Sequence, residues 1–219
     1  MSLGETVRRL ALCAIAAAAF ASAASARAAD PPADFSGVFV SLDLGYGFGA
    51  SGDWCNCTFL PAVTDMVGGE GGIIVGGGVG YDVRLGSLVL EMAARGSHAD
   101  IKFSEACGTT VCSGEVAWLG ETHVGAGLII FDDILIAGTY GHAFGDVHAQ
   151  AGLAPPSTSR HDGSTVTARV EQGWSGGWRM GLEYRRYELE GDNEAPAAEV
   201  AVDWSSQVIA LVIHYELPE

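Results

Sequence analysis

A strict alternation of apolar with small or polar residues begins at residue 38 and limits this chain more than any other feature. Val38, Val40, Leu42, Leu44, Tyr46 and Phe48 interleave with Phe39, Ser41, Asp43, Gly45 and Gly47. A period of two builds a strand with two unlike faces. Similar alternation returns several times before the C-terminus. Beyond the first 28 residues, no uninterrupted apolar run reaches the roughly 20 residues that a helix needs to span a bilayer. Such strands read as an all-β, eight-stranded, antiparallel up-and-down transmembrane β-barrel, because only a closed sheet satisfies its own backbone in lipid.

The first 28 residues are set apart from that pattern and read as a cleaved secretory signal peptide. Arg8 and Arg9 form a basic start and Leu10 to Ala24 an apolar core. Ala24-Ser25-Ala26 or Ala26-Arg27-Ala28 offers a small-x-small cleavage site. Residues 29–219 are then the barrel domain, expected in the cell outer membrane after export. They carry 26 acidic against eight basic side chains, a formal charge near −18 that argues against nucleic acid as a partner.

Strands are expected at about 35–50, 70–84, 86–103, 115–130, 134–148, 163–174, 177–190 and 200–217. The connections alternate in length. Arg84-Leu85-Gly86-Ser87, Phe131-Asp132-Asp133-Ile134 and Ser175-Gly176-Gly177 are tight turns, whereas 51–69, 104–114, 149–162 and 191–199 are longer and more polar. Short turns on one side and long loops on the other match the periplasmic and extracellular ends of outer-membrane barrels.

A membrane barrel turns its apolar face outward. Ile73, Val75, Val79, Tyr81 and Val83 are expected to face lipid, as are Leu88, Leu90 and Met92, and Ile209, Leu211, Ile213, Tyr215 and Leu217 on the last strand. The opposite faces place Asp43, Asp82, Arg84, Glu91, Arg95, Glu121, Arg169, Glu171, Glu183 and Arg185 in the lumen. An eight-stranded barrel is just wide enough for side chains to fill, so these ten are expected to pair and plug it. Strand five is the least clean, because Ile136, Tyr140 and Phe144 share a face with His142. The aromatics Tyr46, Phe48, Tyr81, Trp118, Phe131, Trp174, Trp178, Tyr184, Trp204 and Tyr215 fall mostly near strand ends, where interface girdles sit.

The segments FSGVFVSLDLGYGFG, GGGVGYDV, WLGETHVGAGL with ILIAGTYGHAFG, GWRMGLEYRRYELEG and VIALVIHYEL together resemble the small eight-stranded outer-membrane barrel family. That family includes OmpA-like transmembrane domains and opacity-type, porin-like surface proteins. The resemblance implies a structural or surface-exposed role, with outer-membrane lipid, lipopolysaccharide and the barrel-assembly machinery as partners and an extracellular ligand for the outer loops as a further option. No cofactor and no enzymatic activity are expected. Where the family carries inward arginines on the fourth strand, this chain has His123 and Gly125. Where the family closes on an aromatic residue, it has Leu217-Pro218-Glu219.

Cys55, Cys57, Cys107 and Cys112 all fall in expected outer loops, where an oxidising envelope favours disulfides. Pairing within or between loops is open. His142, His148 and His161 near the outer end of strand five raise surface metal capture, against the plainer reading of scattered exposed histidines. The acidic run Glu188, Glu190, Asp192, Glu194 and Glu199 reads as a solvated face. Two other classes are weighed. A lipid A-modifying enzyme needs a serine and histidine adjacent on the lipid-facing wall with an acid to orient the base. Here Ser157, Ser159 and His161 fall in a loop, and no serine is expected near His142 on a common face. A soluble lipocalin-like barrel would fill its centre with apolar residues, which the inward Asp, Glu and Arg oppose.

Overall fold

Period-two segments pair with their neighbours in sequence until the last meets the first. In the computed structural model, which describes residues 33–55, 69–107, 110–151, 157–191 and 201–218, the eight strands are β1 (Gly37–Cys55), β2 (Gly69–Leu85), β3 (Leu88–Cys107), β4 (Thr110–Ile130), β5 (Ile134–Ala151), β6 (Ser157–Gly173), β7 (Trp178–Gly191) and β8 (Ala201–Glu216). All neighbours are antiparallel and the sheet is closed. Closure comes from β1 against β8, in register from Phe39 opposite Glu216 to Cys55 opposite Ala201. Leu217 N–H then donates to Val38 O at 2.8 Å. The described residues contain no helix long and apolar enough to cross a membrane.

The three short connections lie where the sequence puts them. β2 and β3 meet with Leu85 opposite Leu88, Gly86 taking the left-handed conformation at φ 69°. Between β4 and β5, Phe131 and Asp132 hold φ of 54° and 66°, a conformation that L residues rarely adopt. Gly176 and Gly177 supply φ of 87° and 80° before β7, where glycine carries no such cost.

At the opposite end the strands run further than the sequence indicates. The expected loop 104–114 is largely a ladder, with Ser104 opposite Ser113 and Cys107 opposite Thr110. β6 starts at Ser157 instead of residue 163, paired from Ala149 opposite Ser157 onward. Both faces of such an extension are polar, so the hydrophobic alternation fades while the backbone ladder continues. Hydroxylated residues such as Thr158 suit an extended backbone without adding apolar contrast.

Alternation sorts the side chains as expected. Leu42, Leu44, Ile73, Met92, Val124, Leu128, Ile209 and Leu211 stand exposed on the outer wall, and Asp43, Glu91, Arg95, Glu183 and Arg185 are buried inside. β5 is resolved the same way: Ile136, Tyr140 and His142 point outward, while Leu135, Ala137, Thr139, Ala143 and Val147 line the interior. From Ile134 to Phe144 the outer face of β5 runs for about 33 Å at ~3.3 Å per residue, or about 25 Å along the axis at a tilt near 40°. That is about the height of a lipid-facing belt.

Inward glycines set the room available to the larger inward groups. Gly76 faces Asp43 and Ser97, and a Cβ there would lie 2.9 Å from Asp43 Oδ1 and against Ser97 Oγ. Gly76→Val is therefore expected to overpack the lumen at a cost of about 1–3 kcal/mol. The check is the urea midpoint of the detergent-folded barrel, which should fall; an unchanged midpoint would contradict this packing.

Candidate functional site in the lumen and on the outer wall

The interior is built in three layers. Next to the short turns, Phe35, Val89, Ile129, Leu135 and Ala137 form an apolar floor together with Ala33. Toward the long-loop end Ile74, Ile101, Phe103, Val116, Leu119, Val147, Tyr187, Leu189, Trp204 and Val208 form a larger apolar ceiling. Between them lies a belt of charge contributed by every strand except β5, whose small inward residues leave space for the long arginines opposite.

Arg95 is the hub of the upper part of that belt. It reaches Glu183 at 2.7 Å, Glu121 at 3.0 Å and Asp43 at 3.7 Å. Arg185 joins Asp43 at 3.1 Å and also contacts Glu183. In the middle, Arg169 donates from both terminal nitrogens to Glu91, one of them at 3.0 Å, and its Nε faces Glu171 at 3.2 Å. His123 bridges Glu91 at 3.1 Å and Glu121 at 3.6 Å. Lower down, Arg179 reaches Asp82 at 2.7 Å and Glu216 at 3.6 Å. Its guanidinium lies 5.0 Å from the ring centre of Phe39 and 5.6 Å from that of Phe35. His214 meets Glu171 at 2.6 Å.

Nine of the ten charges anticipated from alternation meet in this cluster. Arg84 does not: it lies at the rim, where its guanidinium donates to Ala33 O and Gly86 O, both at 3.0 Å. Its position beside the turn brings it to backbone carbonyls. His123, inward on the fourth strand by its sequence, joins the cluster, as do His214 and Glu216, which charge alternation alone does not mark. Each stands on the inward parity of its strand, which is the signal that finds them.

Four arginines, each no more than 3% exposed at the side chain, face seven carboxylates: Asp43, Asp82, Glu91, Glu121, Glu171, Glu183 and Glu216. Charges this dry are tolerated because each has partners. Their removal one at a time is correspondingly costly.

Several other expectations change. Trp204 is not a girdle residue; it is 1% exposed in the lumen, with its ring 6.3 Å from that of Tyr187. Position near a strand end suggested an interface, but parity turns the ring inward. The three histidines do not converge. His161 is buried with Nδ1 3.2 Å from Ser159 O, His148 is exposed against Thr158 Oγ1 at 2.8 Å, and His142 is on the outer wall. No group of three or more metal-ligating side chains occurs among the described residues. Cys57, Asp192, Glu194 and Glu199 lie outside the described residues, as do the side chains of Cys55, Cys107 and Cys112. Ser157 lies on β6, with its side chain likewise outside the description.

The expectation that no serine stands near His142 on a common face does not hold, because cross-strand register supplies one from β6. Ser164 stands directly opposite His142, and Thr122 opposite His142 on the other side. Cross-strand register, not sequence distance, brings them together. The order is wrong for a hydrolytic triad, however. Glu188 is opposite Ser164 and not beside His142, and it is paired with Arg186 at 2.7 Å. Among the described residues no ion pair joins His142 to a carboxylate that would orient it.

Removing one arginine of the lumen strands its carboxylates. Arg169→Met is expected to cost about 3–5 kcal/mol by leaving Glu91 and Glu171 under-compensated, and adding Glu91→Gln should recover part of the loss. Urea unfolding of the single and double variants in detergent measures both. Additive losses would contradict the coupling.

No protein-family model matches the chain, and no curated protein is similar to it. Solved structures are. It is similar to the Neisserial surface protein A at 14% identity, covering 83% of this chain and 98% of that one with a TM-score of 0.46. It is similar to Ail, the attachment invasion locus protein of Yersinia pestis, solved with the heparin analogue sucrose octasulfate, at 11% identity, covering 81% and 99% with a TM-score of 0.36. It is similar to the N-terminal β-barrel domain of Pseudomonas aeruginosa OprF at 7% identity, covering 80% and 97% with a TM-score of 0.36.

Proposed function

We propose that this protein is an outer-membrane β-barrel with a structural or surface-exposed role, inserted through its apolar outer wall and closed to general diffusion by its lumen. The observation that carries the reading is the inversion of the usual protein pattern. Large apolar side chains stand on the outside of every strand, while dry arginines and carboxylates fill the centre. Monomeric soluble proteins rarely expose contiguous apolar patches beyond a few hundred Å², and a wall of Val, Leu, Ile, Met and Tyr around a whole barrel far exceeds that. The same wall opposes a soluble lipocalin-like carrier.

The expected signal peptide supports export, and the outward row ending in Tyr215 and Leu217 is what the assembly machinery would read on β8. The long-loop end faces outside in this reading, with strands carried past the belt as a polar sheet that presents the loops for an extracellular ligand. This reading assigns the barrel no enzymatic role.

Comparing unboiled with boiled membrane extract by electrophoresis tests this directly. A heat-dependent mobility shift confined to the outer-membrane fraction is expected, together with no steady conductance in planar bilayers. A single unshifted band in the soluble periplasm would overturn the location, and a stable open channel would overturn the closed lumen.

A further inference from the structure

Residues 33–36 precede β1 and belong to no strand. A chain that simply prolonged β1 would leave the barrel along the strand axis and stand in solvent. Here Ala33 is 3% and Phe35 0% exposed, while Asp34 between them faces solvent and Ser36 is half-buried. Ala33 and Phe35 join Val89, Ile129 and Leu135 in the apolar floor, so the segment turns back over the short-turn mouth. Ser36 Oγ donates to Asp34 Oδ1 at 2.7 Å, which stiffens it.

Its path is set by features that the closed sheet does not require. Gly37, at the start of β1, holds φ 110°, a conformation that glycine adopts without steric cost, and it redirects the chain across the opening. Arg84 donates through Nη1 to Ala33 O and through Nε to Gly86 O, both at 3.0 Å, and so ties the segment to the β2–β3 turn. Gly173 at the end of β6 is the landing. A Cβ there would lie 2.5 Å from Ala33 Cβ and 2.9 Å from Phe35 Cζ. Since β6 is separated from β1 by β7 and β8 around the cylinder, the segment crosses the mouth and does not follow the wall. The Arg179 guanidinium lies 5.6 Å from the Phe35 ring centre, inside the roughly 6 Å reach of cation–π attraction. Phe35 thus stands between the mouth and the lowest arginine of the charge belt.

β1 enters the ladder at Gly37 opposite Asp82 and at Phe39 opposite Glu216. Lifting residues 33–36 therefore breaks no interstrand pair, and an element held by side-chain contacts opens at lower free energy than the cooperative sheet. We propose that residues 33–36 are a hinged strap that stoppers the short-turn mouth and lifts as a unit about Gly37. Lifting it uncovers a blind vestibule walled by Val89, Ile129 and Leu135 and ending at Arg179, while the ceiling around Tyr187 and Trp204 keeps the barrel closed to through-flow. The inference goes beyond the closed-barrel reading and takes from it only that the short-turn end faces the periplasm. A floor fixed to the sheet would instead open only when the barrel unfolds.

Methyl-detected NMR of the folded mature chain with a water-soluble paramagnetic agent tests it in two variants. Gly173→Leu fills the landing and evicts Ala33 and Phe35. A Cβ at Gly37 meets nothing within 4 Å, so Gly37→Val acts through the direction of the backbone alone. The wild type should keep its Val89 and Leu135 methyl signals. Each variant should lose them to broadening, while Leu119 and Val208 stay sharp and the heat-dependent mobility shift persists. Floor signals that survive in both variants overturn the strap as the stopper. Loss of floor and ceiling signals together overturns its independence from the sheet, and loss of the floor signals in the wild type overturns its closure. If Gly173→Leu fails to fold, Gly37→Val decides alone.

Discussion

The pairing of β1 with β8 is the interaction on which everything else rests. A peptide N–H or C=O left without a partner in hydrocarbon costs several kcal/mol, and an open sheet has two edges full of them. Closing the ladder from Phe39 opposite Glu216 up to Cys55 opposite Ala201 removes both edges at once. Once the sheet is a cylinder, a period of two has only one meaning: every second side chain faces the interior and the others face the surroundings. The sequence alternation, the apolar wall and the charged lumen are consequences of that closure.

A cylinder of eight strands leaves a space that side chains must fill, and the chemistry of the filling sets its behaviour. Charged residues alone would draw water between them. Here the charge belt is held between a floor containing Phe35 and a ceiling containing Trp204 and Tyr187, so its ion pairs are strengthened by exclusion of solvent. The same dryness makes the arrangement brittle toward loss of one partner, because an uncompensated buried charge costs more than the pair contributes. The belt of paired charges is the middle of three interior layers, with an apolar cluster on either side of it.

How much of this was legible depends on which physical signal carries it. The faces of β1, β2, β3 and β7 could be read directly, because lipid on one side and a charged lumen on the other give the strongest possible contrast between neighbours. The polar extensions of β3, β4 and β6 could not, since both their faces are polar and the period-two signal vanishes there. Nearness to a strand end points Trp204 to an interface, while parity, which decides, turns it into the lumen. Parity gives Arg84 its side but not its height. The opposition of Ser164 and His142 depends on register between strands. No single strand's sequence contains that information.

Methyl-detected NMR of the folded chain in lipid nanodiscs, with a lipid-confined and a water-soluble paramagnetic agent added in turn, tests the inverted, dry barrel most directly. Methyl signals of Leu42, Leu44, Val75 and Leu211 should broaden with the lipid-confined agent, while those of Leu119, Leu189, Val208 and Val212 stay sharp with both. Broadening of the inward methyls by the water-soluble agent would contradict a closed interior, and the same effect on the outward methyls would contradict a wall facing lipid.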